Sequence, residues 1–348
     1  MSTVVRNLRP EDSAACAALL AHAQAGAIRE EETGGARTAR LADPGACVEL
    51  LDRLFSSRRS DAVVAEEGGR IVGYLAGDRQ MFSPEDFASI YAEPRSVVIP
   101  LHGHVVADHS DAVDLYTKMY GALAGRWIDG GMFAHSISVA AEDADAVEAW
   151  SWLGFGYKSV CAIRDTAIPV TLREDVRVRV EQVGSERDDL IERFHCRLMI
   201  YQTGSPMFWP YNGEADAAVR DVRSKLLDTG QAGCFLAWVD DEPAGMMLAA
   251  PGIFLSPMLA SSDTAYLWEG FIDPVARAGG VGAALLGRLM GWLASRRQNR
   301  CALHFVAGNP LGRRFWLGQG FRPAEVLLRR HVDERVAWAR GPVVMDGR

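Results

Sequence analysis

The sequence predicts an α/β protein built from two similar units in tandem, residues 1–165 and 166–348. Three observations carry this. The chain has 348 residues with 49% apolar content, which is too long for one compact domain of ordinary size and apolar enough for two buried cores. Its halves repeat one another at an offset of 166 residues, most clearly near the end of each. Ser138-Val139-Ala140-Ala141-Glu142-Asp143 aligns with His304-Phe305-Val306-Ala307-Gly308-Asn309, Trp150 with Trp316, and Gly154-Phe155 with Gly320-Phe321. Finally, a strand-like segment, Ala265–Ile272, runs into the glycine-rich stretch Arg277-Ala278-Gly279-Gly280-Val281-Gly282 and then into a helical one, Ala283–Ser295.

In the first unit, Val4–Arg9 reads as a strand and Glu11–Ala25 as a helix. Asp61–Glu66 and Arg70–Gly77 flank the turn residues Glu67-Gly68-Gly69 as a hairpin, and Val97–Val106 follows as the central strand. The second unit repeats the plan: strand Val176–Val183, helix Arg187–Tyr201, and a hairpin of Cys234–Val239 with Ala244–Ala250 around Asp240-Asp241-Glu242-Pro243. Ala265–Ile272 is its central strand, and the helical segment that opens at Asn309 ends in Gly320-Phe321 before a last strand. Arg164–Asp175 reads as the linker, where Pro169 interrupts and charges return. Pro243–Ser262 is an uncharged run of membrane-spanning length, but Pro251, Gly252 and Pro257 break it, so the reading is a strand and an apolar loop, with no membrane span.

The net charge of −8 argues against broad nucleic-acid affinity, which needs a concentrated basic footprint. Residues 1–165 hold 15 Lys/Arg against 24 Asp/Glu, whereas residues 166–348 hold 22 against 21. Arginine pairs (Arg296/Arg297, Arg313/Arg314, Arg329/Arg330) supply much of the second half's basic content; they suit a ligand with several phosphates and equally suit solvated faces. The six cysteines are widely spaced, as reduced structural thiols of a cytoplasmic protein are, and charges at Arg6, Arg9, Glu11 and Asp12 interrupt the apolar core a signal peptide would need.

Between a strand and a helix, the R-x-x-G-x-G run is suited to cradle a pyrophosphate. Glycines let the backbone curl until successive N–H groups face one point, and the helix adds its positive dipole end. The plainer alternative is a glycine-rich helix start packed closely on a sheet. The order strand, P-x-x-R-x-x-G-x-G, helix, strand, N…FW…GF, strand, read from Pro274, Arg277, Gly280, Gly282, Asn309, Phe315-Trp316 and Gly320-Phe321, resembles the GNAT superfamily of acyl-CoA-dependent N-acyltransferases.

The resemblance implies two tandem GNAT-like units, each a mixed, mostly antiparallel central sheet flanked by helices. It implies acetyl-CoA as acyl-donor cosubstrate and a small or medium-sized amine as acceptor, with 166–348 as the catalytic domain. The loop residues Arg277, Ala278, Gly279, Gly280, Val281 and Gly282, with Ala283, would hold the pyrophosphate. The central strand would splay from its neighbour to admit the pantetheine arm, near Asn309 and Trp316, and a backbone N–H of Phe271 or Ile272 would polarise the thioester carbonyl.

Family members often carry a general base on this strand, and Glu269 is its one carboxylate. It stands one residue from the commonest family spacing, which on a regular strand reverses the face; a bulge at Gly270 would restore the aim. The alternative is a strand glutamate paired with an arginine across the sheet. Where the family often has a tyrosine as acid for the thiolate, this chain has Trp316, whose indole cannot serve. The aromatic segment from Tyr201 to Asn212, with Trp209 and Tyr211, together with Trp268, forms either a wall for the acceptor or an interface with the first domain.

The first unit carries Ala107-Asp108-His109-Ser110-Asp111-Ala112-Val113-Asp114 where the phosphate loop should be, without glycine and with three carboxylates, which marks it as degenerate. His102, His104 and His109 lack ligands at a familiar metal spacing, so no metal is expected. Two rival readings remain: a non-catalytic acyl-CoA-binding or regulatory protein, and a transferase of this fold using aminoacyl-tRNA, against which the intact loop and negative charge weigh.

Overall fold

The computed structural model describes residues 3–30, 39–107, 111–172 and 178–336. It divides into two compact units, and their boundaries differ from the continuous halves 1–165 and 166–348. Unit 1 takes the chain up to Ser83, Ala92–Tyr157 and the stretch from Glu325 on; unit 2 takes Pro84–Tyr91 and Lys158–Ala324. Each half therefore gives its last strand to the other unit. Of the expected linker, residues 173–175 lie outside the described residues, as do 176–177 at the start of the strand expected there and Asp108, His109 and Ser110 of the acidic stretch.

Unit 1 begins with β1 (Val4–Asn7), α1 (Ser13–Glu30), α2 (Pro44–Phe55), β2 (Ser60–Glu67) and β3 (Arg70–Met81). It continues with β4 (Arg95–Ile99), β5 (His104–Val106), α3 (Ala112–Asp129), β6 (Ala134–Ala140) and α4 (Ala144–Trp152). Unit 2 is built from β7 (Gly156–Asp165), β8 (Arg179–Val183), α5 (Asp188–Thr203), α6 (Asp216–Asp228), β9 (Gly233–Val239), β10 (Glu242–Pro251), β11 (Thr264–Ile272), α7 (Val281–Ser295), β12 (Arg300–Val306) and α8 (Pro310–Gly318). The last strand, β13 (Arg322–His331), pairs with β6 and completes the sheet of unit 1.

Both sheets have one plan. Unit 1 runs β1-β2-β3-β4-β6-β13 with β5 against β3, and unit 2 runs β8-β9-β10-β11-β12-β7. One pair in each, β4 with β6 and β11 with β12, is parallel, and the other neighbours are antiparallel. The sheets are thus mixed and mostly antiparallel, flanked by helices. The hairpin turns agree as well: Gly68 and Gly69 in unit 1 (φ 56° and 82°), and Asp240 and Asp241 in unit 2 (φ 49° and 62°), hold the left-handed pair that tight turns between right-twisted strands require.

The central strand expected over Val97–Val106 is broken in two. Pro100 ends β4, Gly103 N–H turns back to Pro100 O at 2.7 Å, and Ala76 N–H donates to Gly103 O at 2.7 Å. A side chain at 103 would meet Ala76 O at 2.7 Å, so the fold needs glycine there. No helix among the described residues is long and apolar enough to cross a membrane, and none of the six cysteines is in a disulfide.

In unit 2, α5 and α6 cover one sheet face through Ile191, Phe194, Leu198 and Val219, packed with Cys234, Leu236, Met246, Leu248 and Phe271. On α7, Leu285, Leu286, Leu289 and Leu293 are buried, and the Trp292 ring lies where a Cβ on Gly233 would be, at 2.8 Å. Apolar burial of this kind is the main driving force of both cores.

The exchanged strands make a test. Leu328, fully buried on β13, sits opposite Ile137 of β6. We expect Leu328→Ala to cost about 2–5 kcal/mol. Hydrogen exchange should show the loss of protection on β6 of unit 1 rather than on β12 of unit 2.

Candidate functional site

The site begins with a strand that leaves its neighbour. β11 pairs with β12 only at its start, Thr264 with Arg300, Ala265 with Cys301 and Tyr266 with Ala302. On its other edge β11 stays paired with β10, but Leu248 faces Glu269 while Ala249 faces Leu267, so Trp268 is the extra residue of a bulge. One extra residue bends a strand and increases its twist, and beyond Tyr266 β11 turns away from β12. The bulge lies at Trp268, not at Gly270 as the glycine suggested.

The gap opens into a cleft of about 440 Å³, lined by both strands, by the loop after Ile272 and by α8. Phe271, Ile272, Arg277, Ala278, Gly280, Val281, Gly282, Ala283, Asn309 and Trp316 all line it, as do Tyr201 and Trp268. Gly279 does not; a Cβ there would sit 3.3 Å from Ala276 O, in the back of the turn. The sequence reading missed His304 and Phe305 of β12, Phe315 and Leu311 of α8 and Gln202 of α5. Only the splay of β11 shows that those positions face one space.

The loop owes its shape to two left-handed residues, Ala278 (φ 63°) and Gly280 (φ 81°). Gly280 is the N-cap of α7 and brings no side chain to its first N–H groups, so the helix start is open to an anion. At Gly282 a Cβ would come within 3.1 Å of the Phe315 ring, which lets α7 and α8 approach closely. Asn309 caps α8, its Oδ1 accepting from Gly312 N–H at 2.9 Å. Arg277 turns back: its Nε donates to Ile272 O at 3.1 Å, and the guanidinium lies 4.5 Å from the centre of the Tyr201 ring.

The strand backbone also points into the gap. Asp273 N–H donates to Ala244 O at 2.9 Å, towards β10. Backbone groups alternate sides along a strand, so Phe271 also faces β10, while Ile272 and Gly270 turn their N–H groups to the gap. Of the two candidates for carbonyl polarisation, Ile272 is therefore the one with the right direction.

The aromatic segment divides between its two readings. Tyr201 lines the cleft, whereas Trp209 donates from Nε1 to Ile90 O at 3.2 Å and carries the Lys158 ammonium 4.9 Å above its ring. Asn212 Nδ2 reaches Pro84 O at 2.6 Å and Ser89 Oγ at 2.7 Å. Trp209 and Tyr211 are off the cleft, and the segment packs on Pro84–Tyr91, a piece of the first half of the sequence that belongs to unit 2. From that piece Tyr91 Oη accepts the Trp268 indole N–H at 2.6 Å.

Glu269 is not part of the lining. The bulge turns its carboxylate towards α5, where it is 3% exposed and meets His195 Nδ1 at 3.0 Å. Its partner is a histidine, not the arginine expected of a plain strand glutamate. Burial pulls the His195 pKa down, but the adjacent Glu269 charge more than offsets it and holds the imidazole above its ordinary value. Around them Arg223, fully buried, bonds Asp188 at 3.1 Å and Glu192 at 2.5 Å, and Tyr211 Oη donates to Asp216. Glu192, Cys196 and Asp216 come close enough to share an ion, yet Glu192 is already bound by Arg220 and Arg223.

Unit 1 has the same frame with the gap filled. Opposite its central strand, Gly73 pairs with Val106 and Leu75 with His104, just as Gly245 pairs with Ile272 and Met247 with Gly270. His104 thus occupies the place of Gly270. Its Nδ1 meets Tyr116 Oη at 2.8 Å and its Nε2 meets Ser138 O on β6 at 2.9 Å, and burial holds its pKa below the ordinary value. Both ring nitrogens are engaged in these bonds. The start of α3 is filled too, since Asp111 accepts from Asp114 N–H at 3.0 Å, a built-in anion where α7 has Gly280.

Residues 199–321, which hold the end of α5, the central strand, the loop and α8, match the Acetyltransferase (GNAT) family. Among solved structures the chain resembles a GCN5-related N-acetyltransferase from Sphaerobacter thermophilus at 16% identity, over 94% of this chain and 95% of that one, with a TM-score of 0.58. It also resembles the GCN5-related glucosamine N-acetyltransferase region of a fungal multi-domain GH3 beta-N-acetylglucosaminidase, at 12% identity, 94% of this chain, 38% of that one and a TM-score of 0.53. A tandem GNAT protein from the clavulanic acid biosynthesis pathway aligns at 12% identity over 95% and 98% of the two chains, with a TM-score of 0.49. No curated protein matches the sequence. At such identities the structural likeness concerns the fold, while the family match concerns the segment that carries the cleft. Residues 199–321 thus match the GNAT acetyltransferase family, and the chain as a whole shares the fold of a GCN5-related N-acetyltransferase.

Proposed function

We propose that the protein is an acetyl-CoA-dependent N-acetyltransferase whose one active site is the cleft of unit 2, with a small or medium-sized amine as acceptor. The observation that supports this best is the coincidence, in one cleft, of a splayed parallel pair and an uncapped glycine loop at a helix start. The loop fits a pyrophosphate: Gly280, left-handed at the N-cap of α7, puts no side chain over the helix start, Gly282 lines the cleft without one, and the N–H groups of α7 supply the positive end. Acetyl-CoA, when bound, supplies an activated acyl group. Ala278, Gly280, Val281, Gly282 and Ala283 would hold its phosphates, Trp316 and Asn309 its arm, and Ile272 N–H the acyl oxygen, where a hydrogen bond strengthens as negative charge develops. Tyr201 and Trp268 would wall the acceptor. With His104 and Asp111 in the corresponding places, the described residues of unit 1 offer no second site.

In this reading Glu269 is structural, because its carboxylate is committed to His195 and away from the cleft. The second reading, acyl-CoA binding without transfer, gains support from the absence of a carboxylate among the described residues that line the cleft.

Three outcomes test these assignments. Calorimetry should give one acetyl-CoA per chain, and incubation with tryptamine, spermidine and glucosamine should release CoA thiol with at least one of them. Binding without release favours the second reading. Gly280→Leu should weaken acetyl-CoA at least about tenfold while the protein stays folded, since a left-handed φ costs an ordinary residue only about 1–2 kcal/mol; normal binding would remove the loop from the site.

Glu269→Gln should act on stability. Removing one partner of a buried pair costs about 3–5 kcal/mol, and here the sign depends on pH. The folded His195 pKa is raised, so the pair's contribution is full below the ordinary histidine value and fades as pH rises through the raised one. The variant should therefore lose more stability at pH 6 than at pH 9 in urea melts, with Asp216, Glu192 and Arg223 the charged groups that surround the ring.

A further inference from the structure

We infer that His304 is the group that takes the proton from the acceptor amine and returns it to the departing sulfur; the inference rests on the acetyltransferase reading of the cleft. Three titratable side chains are found among the described residues that line the cleft: Tyr201, Arg277 and His304. Arginine stays protonated and tyrosine ionises near pH 10, so of the three only the imidazole is an unprotonated base at pH 7 that can hold a proton in passing. His304 stands on β12 two residues past Ala302, the last to pair with β11, where the gap begins. Its ring is open to the cleft.

Tyr266 holds it from the opposite strand, Oη to Nδ1 at 3.0 Å with ring centres 5.6 Å apart. Nδ1 bonds the phenol oxygen, which leaves Nε2 to face a ligand. The role belongs to the tautomer in which Nδ1–H donates to Tyr266 Oη and Nε2 keeps its lone pair. Protein atoms crowd the ring on its other sides, and this desolvation lowers its pKa to about 4. The imidazole is therefore neutral at pH 7. The repeat places Ser138 at the corresponding position of unit 1, so this histidine belongs to the unit with the open gap.

The chemistry balances without another reactant. As the amine nitrogen bonds to the acyl carbon it becomes acidic and gives a proton to Nε2. The C–S bond breaks with its electron pair on sulfur, and the imidazolium returns the proton there. One N–C and one S–H bond form while one N–H and one C–S bond break. The same group thereby fills the place of the thiolate acid that Trp316 cannot serve.

The test uses the full chain with tryptamine, spermidine and glucosamine as acceptors, alongside a measurement that needs no turnover. His304→Gln should lower kcat about a hundredfold or more, leaving the KM and calorimetric Kd for acetyl-CoA unchanged. Nitrogen-15 histidine spectra, assigned by the signal missing in that variant, should show His304 Nε2 without a proton at pH 7 and shifted by acetyl-CoA. Tyr266→Phe should mix the two tautomers and lower kcat less. A variant with wild-type kcat, or a wild-type Nε2 that carries the proton at pH 7, would overturn the role. Failure of the wild type to bind acetyl-CoA would instead overturn the parent reading, and the two failures are distinct.

Discussion

The site depends on one surplus residue. Where β11 and β10 are in step, each strand residue has one partner; at Trp268 two residues stand against one, and the strand cannot stay flat. The bend has separate effects at successive positions. Trp268 is left at the cleft wall, Glu269 is turned under the sheet towards α5, and Gly270 faces the Trp316 ring, which a Cβ would approach to 3.3 Å. The parallel ladder to β12 ends in the same place, so backbone groups that a sheet would normally consume are available to a ligand.

Comparison of the units shows how little separates an open groove from a filled one. The strand order, the parallel pair and the left-handed hairpin turns are shared. What differs is the contents of two small volumes. In one, a glycine leaves space and an imidazole fills it; in the other, a bare helix start stands against one that carries its own carboxylate. The filled version satisfies both nitrogens of the His104 ring internally, as buried polar groups require.

Much of the fold was legible because its signals are local. Glycine pairs mark turns, a glycine run between strand and helix marks the loop, and the Trp150/Trp316 and Gly-Phe endings mark the repeat. The strand exchange was not legible, because the repeat shows that β7 and β13 are equivalent but is silent on which sheet each joins. The bulge escaped for a related reason: it is a property of two strands in register, and the sequence offered Gly270, while the partner strand selected Trp268. Glu269 read as a site residue by type and position, and its true face depended on that bulge. His304 drew notice only as part of the repeat, since one histidine on a buried strand has no pattern of its own.

The exchanged strands bear on how the chain is made. A ribosome releases residues in order, and β6 of unit 1 emerges with one edge of its ladder unoccupied, because its partner, β13, follows every element of unit 2 in the chain. Unit 2 meets the opposite case: its borrowed strand, β7, is already present when β12 appears. The later-encoded unit can therefore close first, and the earlier one must hold an exposed strand edge until the whole of unit 2 has been made. Such an edge is prone to pair with other chains, so during synthesis the hazard of aggregation falls on unit 1.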